Sequence, residues 1–340
     1  MITRLAPLLV VASLIAGACG DDGEIGAEDF TLATTTTVAD APPATATTAP
    51  LAEEPLDEEE RAASFPRTIE HELGSTEIPA QPERVVAVTG VADIDALLAI
   101  GVVPVGAGAY FPVSYAADFG FAPWNEEYWG VIPGFLIRPE INLEELVQLE
   151  PDLIVGQPAA FGAAYDQFSA IAPTVVYSVP SDWRHPIELF GEALGREVEA
   201  AAAIAALEAE LEAAAERVPD DAPTLAIVSP TTENITIYTP DLGAGPAQTL
   251  EEIGFPIVDV DGPLSYERIA DLADADYVVV FDFTIGPVDE LLEDPLFVQL
   301  PAVQAGNVLR LTPEESFSWV FETARSIPLV IEGLLDALGM

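Results

Sequence analysis

Short apolar runs alternate with amphipathic stretches along most of this 340-residue chain. The run RVVAVTG is followed by ADIDALLAIG and VVPVGAG, and further on INLEELVQLE precedes PDLIVGQ and TVVYSV. Short runs rich in β-branched residues predict strands, and the longer segments with apolar residues three or four positions apart predict helices. Strands that alternate with helices indicate βαβ units and a mostly parallel sheet. The pattern therefore predicts an α/β fold.

The alternation is interrupted once, between residues 183 and 218, where the pattern becomes almost purely helical. After a break at Gly195 and Arg196, the sequence EVEAAAAIAALEAELEAAAERV predicts one uninterrupted helix from Glu197 to Val218. At 1.5 Å per residue this helix would be about 33 Å long. That is long enough to connect two lobes.

The alternation restarts at Thr224 and repeats the first half of the chain. Residues 96–108 (ALLAIGVVPVGAG) match residues 249–262 (TLEEIGFPIVDVDG) in their helix, glycine turn and strand. Residues 142–156 (NLEELVQLEPDLIVG) match residues 265–281 (SYERIADLADADYVVVF) in the same way. The chain therefore carries two similar α/β units.

These units predict two Rossmann-like α/β lobes, one from residue 65 to 182 and one from 219 to 340, joined by the helical segment 183–218. Ligands favour domain interfaces and the carboxyl ends of parallel strands. We therefore expect a ligand cleft between the lobes.

The N-terminal region has a different composition. Residues 19–64 are rich in Thr, Ala, Pro, Asp and Glu and show neither helical nor strand periodicity, which predicts a disordered acidic tether. Before it, residues 1–18 place Arg4 ahead of a short apolar run and small residues, the order of a secretory signal peptide. The apolar run is shorter than the roughly 20 residues that a membrane-spanning helix needs.

Cys19 directly follows these small residues and is the chain's only cysteine, so no intrachain disulfide is possible. Its setting resembles the lipobox of bacterial lipoproteins, although Ala16 stands where that motif usually has Leu. The resemblance implies that Cys19 is lipidated and anchors an exported protein to the outer face of the cytoplasmic membrane. The alternative is a plain secretory signal with an incidental cysteine.

Charge and motif content exclude several function classes. There are 58 acidic residues against 11 basic ones, all of them arginine, and the formal net charge is −47. This field repels nucleic acid and anionic headgroups, so the anchor is the only expected membrane contact. The acidity also fits an adaptation for solubility. Nucleotide-binding, P-loop and nucleophile-elbow motifs are missing from the sequence, which argues against an enzyme.

The chain has two histidines, His71 and His185, so a His-rich zinc or manganese site is not expected. We therefore predict no cofactor of the protein's own.

Five segments, in this order, resemble the iron-siderophore class of periplasmic-type binding proteins, which also includes cobalamin and haem binders. They are HELGSTEIPAQPERVVAV, ALLAIGVVPVG, PDLIVG, FGEALGREVEA and PLFVQLPAVQAGNVLRL, and the resemblance covers residues 65–340. It implies a helical-backbone periplasmic binding protein fold. It also implies a monomeric solute-binding component of an ABC importer, whose partners are a ferric siderophore, the permease and its ATPase. The iron would be bound through the siderophore.

In this family one glutamate on each lobe docks onto arginines of the permease. By motif, these positions fall on Glu144 in NLEEL and Glu267 in SYERI, at the same point of the internal repeat. The alternative is that a glutamate in a first helical turn only complements the helix dipole.

The ligand residues are predicted from aromatic content and from the family resemblance. Residues 110–135 contain nine aromatic side chains, and long irregular connections are often functional. Packing within the loop is the alternative for most of them. The resemblance adds three aromatic positions at places where relatives contact ligand. The predicted aromatic ligand residues are Tyr110, Trp124, Tyr128, Trp129, Trp183, Tyr238 and Trp319.

Cationic candidates for the cleft are few. The plausible cationic residues of the cleft are Arg138, Arg184, Arg268 and Arg325. Arg138 is the best candidate to face an anion. Arg268 is alternatively a surface partner of Glu267. Burying a highly anionic complex without partners is costly, which favours a neutral or weakly charged hydroxamate-type siderophore. Haem, through a Tyr or His185 ligand, and cobalamin remain alternatives, and a surface adhesion lipoprotein is a third class.

Overall fold

The computed structural model describes residues 55–109, 122–128, 130–136, 142–178, 182–240, 246–260, 262, 264–282 and 287–340. Residues 55–340 form one compact unit. The predicted signal peptide, Cys19 and the tether up to residue 54 lie outside the described residues.

The folded body begins earlier than the sequence predicts. The predicted tether runs to residue 64, but α1 (Glu58–Ala63) is a helix with a capping box at its N-terminus. Arg61 is only 8% exposed; its Nε donates to the Gly195 carbonyl at 3.0 Å and its Nη2 to a Glu199 carboxylate oxygen at 2.5 Å. Because both partners are far away in the chain, local composition gives no sign that this segment is docked.

An antiparallel hairpin follows α1. It consists of β1 (Arg67–His71) and β2 (Gly74–Ile78). The Glu72 amide donates to the Val176 carbonyl at 2.9 Å, which holds the hairpin against the N-terminal lobe.

The N-terminal lobe is built on a parallel sheet. Its strands are β3 (Val85–Ala87), β4 (Gly106–Ala109), β5 (Gly134–Leu136), β6 (Leu153–Gly156) and β7 (Thr174–Val176), in the order β5-β4-β3-β6-β7. Neighbouring strands are all parallel. Every residue of β3, β6 and β7 is buried, which explains why these strands read as continuous apolar runs.

Short helices and 3₁₀ segments connect these strands. The helices are α2 (Val91–Ala99), α3 (Leu143–Gln148), α4 (Pro158–Phe161) and α5 (Tyr165–Ser169); the 3₁₀ segments are Pro123–Tyr128 and Gly162–Ala164. The turn into α2 needs Gly90, which has φ of +95° and whose Cβ position would lie 2.7 Å from the Gly108 carbonyl oxygen. A side chain at this position would push β3 and β4 apart.

Two consecutive helices link the lobes. They are α6 (Arg184–Leu194) and α7 (Glu197–Ala215), and the predicted break falls at Gly195, which adopts a left-handed conformation with φ of 66°. The buried positions of α7 lie on one stripe and are Ala200, Leu207, Leu211 and Ala214. α7 contacts α2 of the N-terminal lobe and the last helix of the chain in the C-terminal lobe.

The C-terminal lobe repeats the plan on a smaller sheet. Its strands are β8 (Leu225–Pro230), β9 (Ile235–Ile237), β10 (Tyr277–Val280) and β11 (Val308–Arg310), in the order β11-β10-β8-β9. β9 is antiparallel to β8, and the other pairs are parallel. Ile257, which follows the helix after β9, forms a parallel bridge with Leu225 of β8. It corresponds to β4 in the N-terminal lobe, which pairs in parallel with β3. The internal sequence repeat thus corresponds to a structural repeat.

The remaining elements of this lobe are short, except for the last helix. They are α8 (Ala247–Glu252), α9 (Val288–Glu293), α10 (Pro301–Ala305), α11 (Pro313–Val320), α12 (Ile327–Leu338) and the 3₁₀ segments Tyr266–Leu272 and Phe297–Gln299.

The largest hydrophobic core cluster joins both lobes and the linker. It includes Leu97 of α2, Phe190 of α6, Leu211 of α7, Phe281 after β10 and Leu334 of α12. Because one apolar cluster runs through all three parts, the linking helices are part of the packed body.

Candidate functional site

The expected ligand site lies at the carboxyl ends of the strands in both lobes. Several segments that follow these strand ends fall outside the described residues: 110–121, 137–141, 179–181, 241–245 and 283–286. Tyr110, Trp129 and Arg138 belong to the undescribed part of the chain, so their predicted ligand roles stay predictions. The described part of the site is the contact between the two lobes.

Trp124 and Tyr128 lie on the 3₁₀ segment that follows β4, and both are partly exposed. The Trp124 ring packs against Phe317 of α11, with a centroid distance of 5.9 Å, and the Tyr128 ring lies 5.8 Å from the Arg325 guanidinium carbon. Phe317 and Arg325 belong to the C-terminal lobe. The aromatic segment of the N-terminal lobe therefore forms part of the contact between the lobes.

Arg325 reaches across this contact. Its Nη2 donates to a Glu127 carboxylate oxygen at 2.8 Å and to the Trp124 carbonyl at 3.3 Å. Its Nε is buried without a hydrogen-bond partner among the described residues. About a third of the side chain is exposed, so this guanidinium combines a protein partner with a solvent-facing side. Among the described arginines predicted for the cleft, Arg325 is the one that lies beside Trp124 and Tyr128.

A fully buried carboxylate, Asp95 of α2, lies behind this surface. It accepts hydrogen bonds from Trp124 Nε1 at 2.8 Å, from Asn125 Nδ2 at 2.5 Å and from the Thr323 hydroxyl. Burial raises the pKa of Asp95, while these three hydrogen bonds and the nearby Arg325 charge oppose the rise. Asp95 thus joins the aromatic segment of one lobe to the C-terminal lobe.

The other three predicted aromatics are core residues. Trp183, Tyr238 and Trp319 are 3%, 5% and 3% exposed. Tyr238 stacks on Phe281 at 4.7 Å, Phe281 meets Trp319 edge to face at 5.9 Å, and burial raises the pKa of the Tyr238 phenol. In this conformation none of the three presents its ring to an open cleft. Aromatic content alone does not distinguish such core residues from ligand-facing ones.

A small, partly open cavity, with room for about one water molecule, lies where the linker meets both lobes. It is lined by Ala92, Ala96, Trp183, Pro186, Ile187, Glu322, Thr323 and Ala324. Ligand pockets usually measure roughly 300 to 1,000 Å³, so this cavity does not account for a ligand the size of a siderophore.

Glu322 lines this cavity, and its pKa is raised to about 7. Burial is the main cause, and the negative charges of Glu252 and Asp182 add to it, whereas a hydrogen bond from the Thr249 hydroxyl opposes it. Both of these acidic side chains also lie near Arg184, whose guanidinium is 3.8 Å from Asp182, 4.0 Å from Glu252 and 2.8 Å from Glu208.

Arg184 and Arg268, two further candidates for the cleft, are held by acidic side chains. Arg184 also stacks on the Trp183 ring at 4.3 Å. Arg268 forms an ion pair at 2.7 Å with Asp271, one turn along its own helix. Neither contact places the guanidinium beside Trp124 or Tyr128.

Glu144 and Glu267 occupy equivalent positions in the two lobes. Both are exposed and lie in the first turn of a helical segment, α3 for Glu144 and Tyr266–Leu272 for Glu267. α3 precedes β6, which lies beside β3, and the segment Tyr266–Leu272 precedes β10, which lies beside β8. The two glutamates therefore stand at the same point of the two sheets. The geometry leaves both carboxylates available to a partner.

Sequence reasoning missed Asp95 and Thr323. A signal for Asp95 was present, because the helix ADIDALLAIG places two acidic residues within an apolar run, and such residues are rarely buried without a partner. Thr323 carried no comparable signal, since its partner is 228 residues away in the chain.

Within the described residues, no group of three His, Cys, Asp or Glu side chains is placed to hold a metal ion. A search of the same residues finds no helix that is both long enough and apolar enough to cross a membrane.

Comparison with known proteins gives a family match over most of the chain. A family model described as periplasmic binding protein matches residues 86–315. The ferric enterobactin-binding periplasmic protein FepB of Escherichia coli O6:H1 is 29% identical over 278 residues, which cover 75% of this chain and 86% of that protein. The probable siderophore-binding lipoprotein YfiY of Bacillus subtilis is 34% identical over 142 residues, 40% of this chain and 41% of that protein.

Solved structures share the fold. A periplasmic solute binding protein from Mycobacterium smegmatis superposes with a TM-score of 0.69 at 26% identity, covering 80% of this chain and 97% of that one. Staphylococcus aureus SirA complexed with staphyloferrin B gives 0.69 at 24% identity, covering 80% and 98%. Streptococcus pneumoniae PiaA in complex with ferrichrome gives 0.62 at 26% identity, covering 80% and 97%. The predicted α/β fold is confirmed.

Proposed function

The chain belongs to the periplasmic binding protein family, and on this basis we propose that it is the solute-binding component of an ABC importer that captures a ferric siderophore between its lobes. The observation that carries the proposal is the surface formed by Trp124, Tyr128 and Arg325 where the two lobes meet. Aromatic faces and a guanidinium are suited to the organic shell of such a complex.

The named relatives support this ligand class. FepB is described as binding ferric enterobactin, YfiY as probably siderophore-binding, and PiaA was solved with ferrichrome. In our proposal the siderophore supplies all the iron ligands, and the protein binds only the organic shell.

The small number of cations supports a siderophore of low charge. Arg325, the described guanidinium beside the aromatic surface, already pairs with Glu127. A highly anionic tris-catecholate complex would need more positive partners to offset its desolvation. We therefore favour a neutral or weakly charged hydroxamate complex over a catecholate.

Delivery requires a second surface, for which we propose Glu144 and Glu267. Exposed carboxylates at matching points of the two lobes can contact two arginines of a permease, and ATP hydrolysis on a separate subunit would then drive release. Cys19 would anchor a monomeric protein to the outer face of the cytoplasmic membrane. This role involves binding and release without catalysis.

A transport assay tests the docking step. Replacing both residues, Glu144→Ala with Glu267→Ala, should abolish siderophore-dependent iron uptake and leave ligand affinity unchanged. The matched control is Glu145→Ala with Glu290→Ala, which removes two exposed carboxylates, one from α3 itself and one from α9, and should leave uptake intact. A large loss of affinity in the first variant would mean that these residues line the ligand site.

A binding panel tests the ligand class. It contains ferric hydroxamates, ferric catecholates, haem and cobalamin. Saturable binding of one ferric siderophore class supports the proposal. A response only to haem or cobalamin would retain the transport role and overturn the ligand, and no response at all would favour an adhesion protein.

A further inference from the structure

Asp95 is a carboxylate in an unusual place. It lies in the second turn of α2, is 0% exposed, and has no arginine or histidine within ion-pair distance among the described residues. Burying a charged group without compensation is expensive, so its hydrogen bonds must supply the compensation. All three come from neutral donors.

These donors come from two separate parts of the chain. Trp124 and Asn125 lie on the segment Pro123–Tyr128, which has a kink at Asn125 with φ of −108° and ψ of 26°. Thr323 lies between α11 and α12 of the C-terminal lobe and is 4% exposed. One carboxylate therefore fixes a kinked segment of one lobe against a turn of the other.

The turn that carries Thr323 is itself held in a defined shape. The Thr323 amide donates to the Ser326 hydroxyl at 2.9 Å, and the Ser326 amide donates to the Thr323 hydroxyl at 3.1 Å. The Ser326 hydroxyl also donates to the Phe321 carbonyl. Arg325 lies inside this closed turn, so the position of its backbone follows from the bond between Thr323 and Asp95.

We propose that Asp95 is the positioning residue of the ligand site: by binding Trp124, Asn125 and Thr323, its carboxylate sets the placement of Trp124 and Tyr128 relative to Arg325 across the two lobes. This inference rests on the proposed function only where its test measures ligand affinity. Asp95 itself is buried behind these residues and does not contact the ligand. Its contribution is to hold the binding surface in shape before the ligand arrives, which lowers the cost of ordering on binding.

Thr323 offers the sharpest test, because two substitutions separate its hydroxyl from its shape. Thr323→Val keeps the shape and removes the hydroxyl, whereas Thr323→Ser keeps the hydroxyl. In the ligand-free protein, hydrogen exchange in Pro123–Tyr128 and in residues 321–326 should rise for Thr323→Val and stay at the wild-type level for Thr323→Ser. This readout needs no ligand. Unchanged exchange in residues 123–128 of Thr323→Val would overturn the proposal.

Affinity is the second readout, with ferrichrome and ferric enterobactin as probes. If the wild type binds either probe, its Kd should increase about tenfold in Thr323→Val and hardly change in Thr323→Ser. A purely structural role would lower the melting temperature of Thr323→Val and leave the Kd of the folded protein unchanged, which would also overturn the proposal. If the wild type binds neither probe, these two siderophores are not its ligands, and the exchange experiment still decides the role of Asp95.

Substitution of Asp95 itself provides an independent check. Asp95→Asn can keep all three bonds. The remaining oxygen of residue 95 can accept from Trp124 and Thr323, and its new NH₂ group can donate to Asn125 Oδ1 once the Asn125 amide rotates. That oxygen is buried and has no partner among the described residues. We expect Asp95→Asn to keep the wild-type exchange pattern, whereas Asp95→Ala should raise exchange in both segments. Equal exchange in the two variants would contradict the proposal.

Discussion

Two polar contacts reach the C-terminal lobe: a buried one around Asp95, and a more exposed one around Arg184 of the linker. The buried contact joins Asp95 to neutral donors and excludes solvent. The linker contact joins Arg184 to Glu208 and other carboxylates whose side chains are 41% to 49% exposed. Neutral hydrogen bonds to a buried carboxylate are costly to break, whereas exposed ion pairs contribute little and weaken in salt. The buried contact therefore fixes the geometry between the lobes more firmly than the linker contact does.

Removing the buried carboxylate should have the largest effect on stability. Asp95→Ala removes the acceptor of the Trp124 and Asn125 donors and leaves the Thr323 hydroxyl with Ser326 as its acceptor, and each unsatisfied buried group costs roughly 1 to 3 kcal/mol. We expect the free energy of unfolding to fall by about 3 kcal/mol or more, measured by urea denaturation. A loss below about 1 kcal/mol would mean that water replaces the carboxylate and that the contact is not tightly closed.

Glu322, beside the linker contact, should make stability depend on pH. Its pKa is about 7 in the folded protein and near 4.5 when unfolded, so the folded state binds the proton more tightly. The stability from this proton is fully present below pH 4.5 and is lost as the pH rises through 7. A shift of this size, reduced for partial exposure, corresponds to about 2 kcal/mol.

The comparison of wild type with Glu322→Gln isolates this effect. The glutamine stays neutral and can still accept from Thr249, so the variant should be more stable than wild type by about 2 kcal/mol at pH 8 and equal to it at pH 4.5. Other titrating groups, including Asp93 with a pKa of about 7, cancel in the difference. A difference that does not change with pH would contradict the assignment.

Breaking the linker ion pairs should have the smallest effect. Arg184→Gln removes the pair with Glu208, and exposed pairs contribute roughly 0.2 to 1 kcal/mol. Arg217→Gln is the matched control, because Arg217 forms an exposed pair with Glu332 away from the linker contact. Both losses of unfolding free energy should be smaller at high salt, and denaturation with and without added sodium chloride measures this. A loss for Arg184→Gln as large as that for Asp95→Ala would erase the distinction between the two contacts.

The sequence predicted what depends on local pattern. Buried parallel strands such as β6 and β10 read as apolar runs, and Gly195 marked the break between the linking helices. The internal repeat identified Glu144 and Glu267 as equivalent positions because the two lobes reuse one unit. These features follow from periodicity and turn chemistry within short windows.

The sequence did not predict contacts between distant parts of the chain. Arg61 docks on Gly195, 134 residues away, and Asp95 on Thr323, 228 residues away, so composition assigned α1 to the tether and gave no reason to join the lobes at Asp95. Aromatic content likewise could not separate Trp124, which lies at the lobe contact, from Trp183, which lies in the core.

Tryptophan fluorescence of residues 55–340, titrated with ferric siderophores and with the same compounds lacking iron, tests the central claim most directly. This segment retains α1, which Arg61 ties to the linker. We predict saturable quenching by one ferric siderophore class, with a much weaker response to the iron-free forms. No response to any ferric siderophore, in a protein whose fold is confirmed by circular dichroism, would contradict the assignment of this family member to siderophore capture.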